Sequence, residues 1–229
     1  MLLPALNPEH IALLSWNIAK GSRPGWRKDL GELVTDKQLV MIQEARLEHA
    51  MQKVLGDSSC WAFAPGFRGP SLTTGVLTLS RARTHAAQPH RHREPFTRLP
   101  KASLITEYRI DGERAKLLVG NVHAINFTAG TRHFRAQLEA LYDAVSHHEG
   151  PLLLCGDFNT WRGKRLSILD DLVTALGLDH VALSEDHRRQ AFGYALDHLF
   201  FRNLRFESAD VHKVISSDHN PISATMRLN

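Results

Sequence analysis

Gly156-Asp157-Phe158-Asn159 closes an apolar run, and Ser217-Asp218-His219-Asn220-Pro221 stands close to the C-terminus. Leu152, Leu153, Leu154 and Cys155 read as a strand buried on both faces, so Asp157 and Asn159 emerge together where it meets solvent, with Phe158 turned away. Asp218-His219, just ahead of a strand-like stretch over 221–226, can supply a metal or base carboxylate and an imidazole to one site. A phosphodiester resists hydrolysis because its anionic oxygens repel the nucleophile and its leaving group departs as an alkoxide. A carboxylate, an amide and an imidazole on converging strand ends are the groups such a reaction needs. Each motif taken singly also reads as an ordinary turn, since Asp and Asn hydrogen-bond their own backbone.

The pattern recurs elsewhere. The apolar run 11–16 ends in Asn17, the run 39–43 ends in Glu44, and the run 116–122 delivers His123. Polar groups set repeatedly at the ends of hydrophobic strands are costly to bury, so their convergence points to a site. Oxygen donors without a cysteine ligand favour magnesium or manganese. Glu44 is the strongest single ligand and Asn17 adds a neutral carbonyl, since magnesium takes few carboxylates and completes its octahedron with water and phosphate.

The elements that must position these residues alternate between strand and helix. Over 132–148, Phe134, Leu138, Leu141 and Val145 mark one helical face ending at Gly150, and over 167–176, Ile168, Leu169, Leu172, Val173 and Leu176 mark another ending at Gly177. The runs 104–110 and 115–122, joined around Asp111-Gly112, read as a hairpin, so the sheet is not wholly parallel and a simple dinucleotide-binding layout is excluded. Mixed strands with helices outside favour an α/β fold in four layers, an α/β/β/α sandwich of two mixed sheets packed face to face.

The ordered blocks Ser15-Trp16-Asn17-Ile18, Gln43-Glu44, 74–80, Asn121-Val122-His123, Gly156-Asp157-Phe158-Asn159, 196–200 and Ser217-Asp218-His219-Asn220-Pro221 resemble the endonuclease/exonuclease/phosphatase superfamily across nearly the whole chain. The wording of 122–127 and 188–193 is most similar to its YafD-type bacterial branch, for which no substrate is assigned. The resemblance implies the DNase I-like four-layer sandwich, a magnesium-dependent phosphoesterase activity, and roles for individual residues. Asn17 and Glu44 align with the metal-binding pair, with Asp218 a candidate to join them. Asp157 matches the carboxylate that positions or deprotonates water, and Asn159 the amide that holds the phosphate or the scissile oxygen. His219 matches the imidazole at the phosphate and Asp197 the carboxylate that orients it. His123 aligns with a histidine of DNase I and the phosphatases where abasic-site enzymes carry tyrosine, which disfavours abasic-site repair. Asn121 and Asn126 are candidates for phosphate contact or for ordinary strand-end hydrogen bonds. Lys101 is a candidate to approach the phosphate but is expected to be exposed instead, His198 is expected to face outward, and Trp16 to fill core.

At 229 residues and 43% hydrophobic composition, the chain can bury a sizeable core, and 1–229 reads as one domain without a Pro/Gly/Ser-rich linker. Residues 1–10 lack the basic-then-apolar pattern of a leader, and no run is long enough to span a membrane, so a cytoplasmic protein is expected. The two cysteines, Cys60 and Cys155, suggest neither a disulfide nor a zinc site. The net charge of +4 is unevenly spread: Arg81, Arg83, Arg91, Arg93, Arg98 and Lys101 crowd one region, and Arg162, Lys164 and Arg165 flank Trp161. Basic groups around an aromatic suit a phosphodiester strand such as DNA or RNA, although a phosphoinositide head group or plain solvent would suit the charges too. No protein partner is inferable. The functional expectation is a metal-dependent phosphoesterase, nuclease-like by preference. The alternatives are a phosphatase or phospholipase-type hydrolase of inositol or lipid phosphates, and a catalytically silent binding module of the same fold.

Overall fold

The computed structural model describes residues 5–47, 51, 60–69 and 72–229; residues 1–4 of the N-terminal stretch lie outside them. Two six-stranded mixed sheets dominate. The first contains β1 (Ile11–Asn17), β2 (Leu39–Arg46), β3 (Cys60–Arg68), β4 (Thr73–Ser80), β13 (Leu204–Val211) and β14 (Ile222–Leu228), in the order β13-β14-β1-β2-β4-β3. The second contains β5 (Thr84–Arg93), β6 (Pro100–Arg109), β7 (Lys116–His123), β8 (Leu152–Asp157), β9 (Asp179–His180) and β12 (Asp197–Arg202), in the order β5-β6-β7-β8-β12-β9. A short ribbon of β10 (Gln190–Ala191) and β11 (Tyr194–Ala195) stands apart.

Each sheet has a parallel pair, β1 with β2 and β7 with β8, bridged by a crossover that includes a helix. Parallel neighbours require such a crossover, and it leaves both strands ending at the same edge. Helix α1 (Trp26–Leu33) serves the first pair and α2 (Arg132–Val145) the second, while α3 (Gly163–Ala175) follows β8. Alternation along the strands sorts the apolar residues into layers. Leu13, Met41, Val119, Leu153, Cys155 and Ala224 meet between the sheets, whereas Leu154, Phe158 and Phe200 pack beneath Phe134, Leu138, Leu169 and Val173 of α2 and α3. Leu14, Trp16 and Ile42 lie against Trp26 and Leu30 of α1. The expected four-layer sandwich and the hairpin of β6 and β7 are both present. Helix α3 begins earlier than expected because its first turn, Gly163-Lys164-Arg165, is polar and carries no apolar period. Both cysteines are free, and burial pushes the Cys155 thiol up to about 12.

His198 departs from expectation. It is buried, its ring stacks on Phe200 at 5.6 Å, and its Nε2 meets Thr160 Oγ1 at 2.7 Å. Burial, then the nearby Arg188 charge, lowers its pKa from 6.5 to about 3. Because the unfolded chain binds the proton more readily, folding stability is full above pH about 6.5 and falls as the pH drops towards 3. This one ring is expected to cost about 2 kcal/mol at pH 5 relative to pH 7. Urea unfolding at the two pH values, compared between the native chain and His198→Phe, checks this; equal losses in both would show that the ring is not buried neutral.

Candidate active site

The four ends of the two parallel pairs gather at one edge of the sandwich. Asn17 ends β1, His123 ends β7 and Asp157 ends β8, with His123 in register beside Asp157. Asp197 opens the antiparallel β12 and is also in register with Asp157. Glu44 arrives differently. Between Ile42 and Ala45 the pairing of β2 with β4 slips by one residue, and Glu44 has φ +51°. Ile42 and Ala45 both pack towards α1 and Gln43 lies between the sheets, so Glu44 is the surplus residue of a bulge that turns it to the site. Left-handed backbone at a non-glycine residue is strained, and it persists here where the carboxylate is wanted.

Asp157 Oδ2 is the hub. It accepts a hydrogen bond from Asn17 Nδ2 at 2.9 Å, across the seam between the sheets, and faces His123 Nε2 at 3.5 Å and His219 Nε2 at 4.0 Å. Its Oδ1 accepts the Asn159 backbone N–H at 3.0 Å. Asn159, itself at φ +51°, spends one amide proton on the Ala124 carbonyl. Burial raises Asp157 to about 6, against the opposing pull of His219. The group is a carboxylate at neutral pH, with a basicity suited to accepting a proton.

His219 is held by its surroundings from both ends. Its backbone N–H donates to Ser217 Oγ, its carbonyl accepts from Trp16 Nε1 at 2.9 Å, and Ser217 Oγ donates to the Asn17 carbonyl at 2.7 Å. Trp16 therefore fills core as expected and also fixes the loop bearing His219 to β1. His219 Nδ1 meets Asp197 Oδ2 at 2.7 Å. Burial opposes a charge on this ring, but Asp197, Asp157 and Asp218 outweigh it and push the pKa up to about 10. The imidazolium thus donates Nδ1–H to Asp197 and presents Nε2–H towards Asp157. Asp218 is exposed, and its charge is among those that raise His219.

His123 is the electrostatic opposite of His219. Burial, Lys101, His219 and Lys20 all lower its pKa well below the ordinary value, so it is neutral, and Lys101 Nζ donates to its Nε2 at 2.8 Å. Lys101 also lies 3.5 Å from Glu44 Oε1, and Lys20 lies 3.6 Å from Glu44 Oε2. Sequence reasoning does not single out Lys20, and of the two readings of Lys101, approach to the phosphate or exposure, it prefers exposure. The position of Lys101 two residues ahead of Ser103, the partner of Val122, is the register signal that places it beside His123.

Of the two alternatives for Asn121 the structure shows the hydrogen-bonding one: it is buried between the sheets, accepting from Gln43 Nε2 and donating to Leu77 O and Thr78 Oγ1. One further expectation is corrected. Arg165 is fully buried and cannot meet a polyanion. It donates to the carbonyls of Ile125, Asn126 and Asn159 and to Thr128 Oγ1, at 2.8–2.9 Å, and so ties the end of β8 to the segment after β7. Arg165→Met is expected to lower stability by about 3 kcal/mol, because several buried acceptors lose their donor. Urea unfolding measures this, and a loss below about 0.5 kcal/mol would show the contacts to be dispensable.

The sequence model of the Endonuclease/Exonuclease/phosphatase family matches residues 14–219, which span every residue of this site. The chain belongs to that family. Its members hydrolyse phosphoester bonds, nucleases and phosphatases among them. A UPF0294 protein of Yersinia pseudotuberculosis is 38% identical over 220 residues, covering 96% of this chain and 84% of its own length. The human Nocturnin catalytic domain with bound sulfate superposes with a TM-score of 0.74 at 16% identity, covering 98% of this chain and 96% of that one. A mannosyl-6-phosphatase of Bacteroides thetaiotaomicron superposes at 0.71 with 15% identity, over 94% and 99% of the two chains. The structural likenesses establish the DNase I-like fold.

Family members generally depend on a divalent metal, and the donors here fit one. Among the described residues Glu44 accepts no N–H or O–H hydrogen bond at normal distance; its oxygens meet cationic or imidazole nitrogens at 3.5–3.7 Å, leaving an open hard ligand. Asn17 Oδ1 accepts one backbone N–H, from Ala19, and keeps a second lone pair. Asp157, Asp197 and His219 also place ligand atoms within 4.8 Å of one another, but Asp197 is already committed to His219 and Asp157 to Asn17. Among the described residues no helix is long and apolar enough to cross a membrane.

Proposed function

We propose that the protein is a divalent-metal-dependent phosphodiesterase, with nucleic acid as its preferred substrate class. The observation that carries this reading is the Asp157 carboxylate faced by Asn17, His123 and a His219 imidazolium locked by Asp197. Asp157 orients and deprotonates the attacking water. His219 donates Nε2–H to the non-bridging oxygen on which charge accumulates, and Asp197 keeps that ring charged and aimed. Lys20 and Lys101 offset the negative charge that an incoming phosphate adds beside Glu44. Asn159 fixes Asp157 through its backbone and keeps one amide proton for a phosphate oxygen. A magnesium or manganese ion held by Glu44 and Asn17 supplies Lewis-acid polarisation of the phosphate when bound.

Nucleic acid is favoured by the net charge of +4 and by the exposed Lys164 beside Trp161, over whose ring Arg162 lies at 4.8 Å. The test is release of product from methyl p-nitrophenyl phosphate and from single-stranded DNA and RNA in magnesium or manganese, with and without chelator. Turnover that survives chelation would overturn the metal requirement, and absence of turnover on all substrates would favour the silent binding module. Nucleic-acid affinity is expected to fall log-linearly with salt, less steeply after Lys164→Ala. A small ester turned over without salt-sensitive binding of DNA or RNA would remove the nuclease preference.

A further inference from the structure

Beside Glu44, Lys101 and His123 opens a cavity of about 410 Å³ that the catalytic residues do not fill. Such a volume is that of a small-molecule site rather than of a phosphate group alone. Away from these three side chains its walls turn apolar, formed by Phe67, Leu99, Pro100 and Phe127. Phe127 is 59% exposed and Leu99 46%, an arrangement that leaves large apolar surface in water at the rim of an otherwise charged site. Contiguous exposed apolar surface of this kind marks a ligand groove.

The walls are built in advance. Glu94 is 2% exposed, and burying a carboxylate is costly unless its oxygens are satisfied. One oxygen accepts the backbone N–H of Asn126 at 2.7 Å, with Phe127 N–H more distant at 3.4 Å, and the other accepts Thr97 Oγ1–H at 2.6 Å. The Glu94 N–H donates to the Leu99 carbonyl at 3.1 Å. From below, Arg165 holds the carbonyl of the same Asn126 at 2.8 Å. Two buried charges of opposite sign therefore clamp one residue, and with it both walls, without either entering the catalytic chemistry. The half-buried Asn126, meanwhile, is one of the lining residues, and its side-chain amide has no hydrogen-bond partner among the described residues. It offers a donor and an acceptor side by side to the edge of whatever the phenyl groups cover.

Resting on the phosphodiesterase reading, we infer that this cavity binds one unpaired nucleobase, attached through its sugar to the scissile phosphate at Glu44 and His123. A nucleobase is a flat apolar face with a hydrogen-bonding edge, which matches aromatic walls plus one free amide. An acyl chain would use the walls but leave Asn126 unanswered. A base stacked inside a duplex cannot reach such a cavity without leaving the helix, so the site selects single strands or strand ends.

Binding to the Asp157→Asn protein in magnesium tests this without requiring turnover. The probes are a short single-stranded oligonucleotide, the same strand with abasic sugars, and the paired duplex, measured by fluorescence anisotropy at one salt concentration. The base-bearing strand is expected to bind at least about tenfold more tightly than the abasic one, the range of one base stacked on an aromatic side chain. That difference should collapse in Phe127→Ala and shrink in Asn126→Ala, both at exposed or half-exposed positions whose loss leaves the core intact. Equal affinity for base-bearing and abasic strands would overturn the inference. So would tighter binding of vesicles rich in an anionic phospholipid than of any strand. In a parallel assay of the native chain, turnover of methyl p-nitrophenyl phosphate alongside equal affinities would sink the nucleobase site while the phosphodiesterase reading stands. Its absence, alongside a preserved base preference, would sink the hydrolase and keep the site.

Discussion

Asp157→Asn is expected to lower turnover of a phosphodiester by about two to four orders of magnitude, the range contributed by a positioned general base. The substitution keeps the volume of the side chain and removes its charge, which is the part that matters. At neutral pH the native carboxylate can accept a proton from water, and the amide cannot. Both native oxygens accept an N–H, from Asn17 Nδ2 at 2.9 Å and from Asn159 at 3.0 Å, and the amide has one oxygen for the two, so one of these contacts is lost. Steady-state kinetics with saturating metal, paired with a thermal melt, check the claim. A loss under about tenfold, with the melt unchanged, would assign Asp157 to structure rather than to chemistry.

Glu44→Gln is expected to weaken magnesium or manganese binding and to cut activity by two orders of magnitude or more at limiting metal, roughly 3 kcal/mol. The fold should survive. The Glu44 side chain makes no hydrogen bond to the strands around it among the described residues, and the bulge that presents it is fixed by the neighbouring pairs of β2 and β4. Titration calorimetry on the native and variant chains measures the metal directly. Wild-type affinity and wild-type turnover in the variant would remove Glu44 from the metal site. Lys20 and Lys101 introduce a further expectation: among the described residues they are the lysines paired with Glu44, so the variant should release them and leave the fold no less stable.

The residues at strand ends were legible because a long apolar run broken by Asp, Asn, Glu or His is a local signal. Asn17, Glu44, His123 and Asp157 all announce themselves that way, and the structure gathers them at one edge. Lys101 does not, since it sits at the start of its strand rather than the end, and only antiparallel register with β7 brings it to His123. Arg165 and His198 were misjudged for a related reason: polar residue types argue for exposure, whereas burial here is decided by acceptors and ring neighbours distant in sequence. The bulge at Glu44 left no trace in the apolar pattern, because one surplus residue at the end of a run looks like the end of the run. The clamp formed by Glu94 and Arg165 around Asn126 involves three separate segments, and no spacing within any of them reveals it.

The hydrogen bond from Asn17 to Asp157 joins the two sheets at their shared edge, and its consequence extends beyond the pair. One sheet brings Asn17, Glu44 and the loop bearing His219; the other brings His123, Asp157 and Asp197. Neither sheet holds a working set by itself, so the reactive centre exists only while the two halves are seated against each other. Catalysis is sensitive to displacements of about 1 Å. A volume change in the layer between them, at Met41 or Leu153 for example, would be felt as misalignment long before the chain came apart. If the proposed hydrolysis is its activity, turnover gauges how the two halves mate, more finely than a melting curve does.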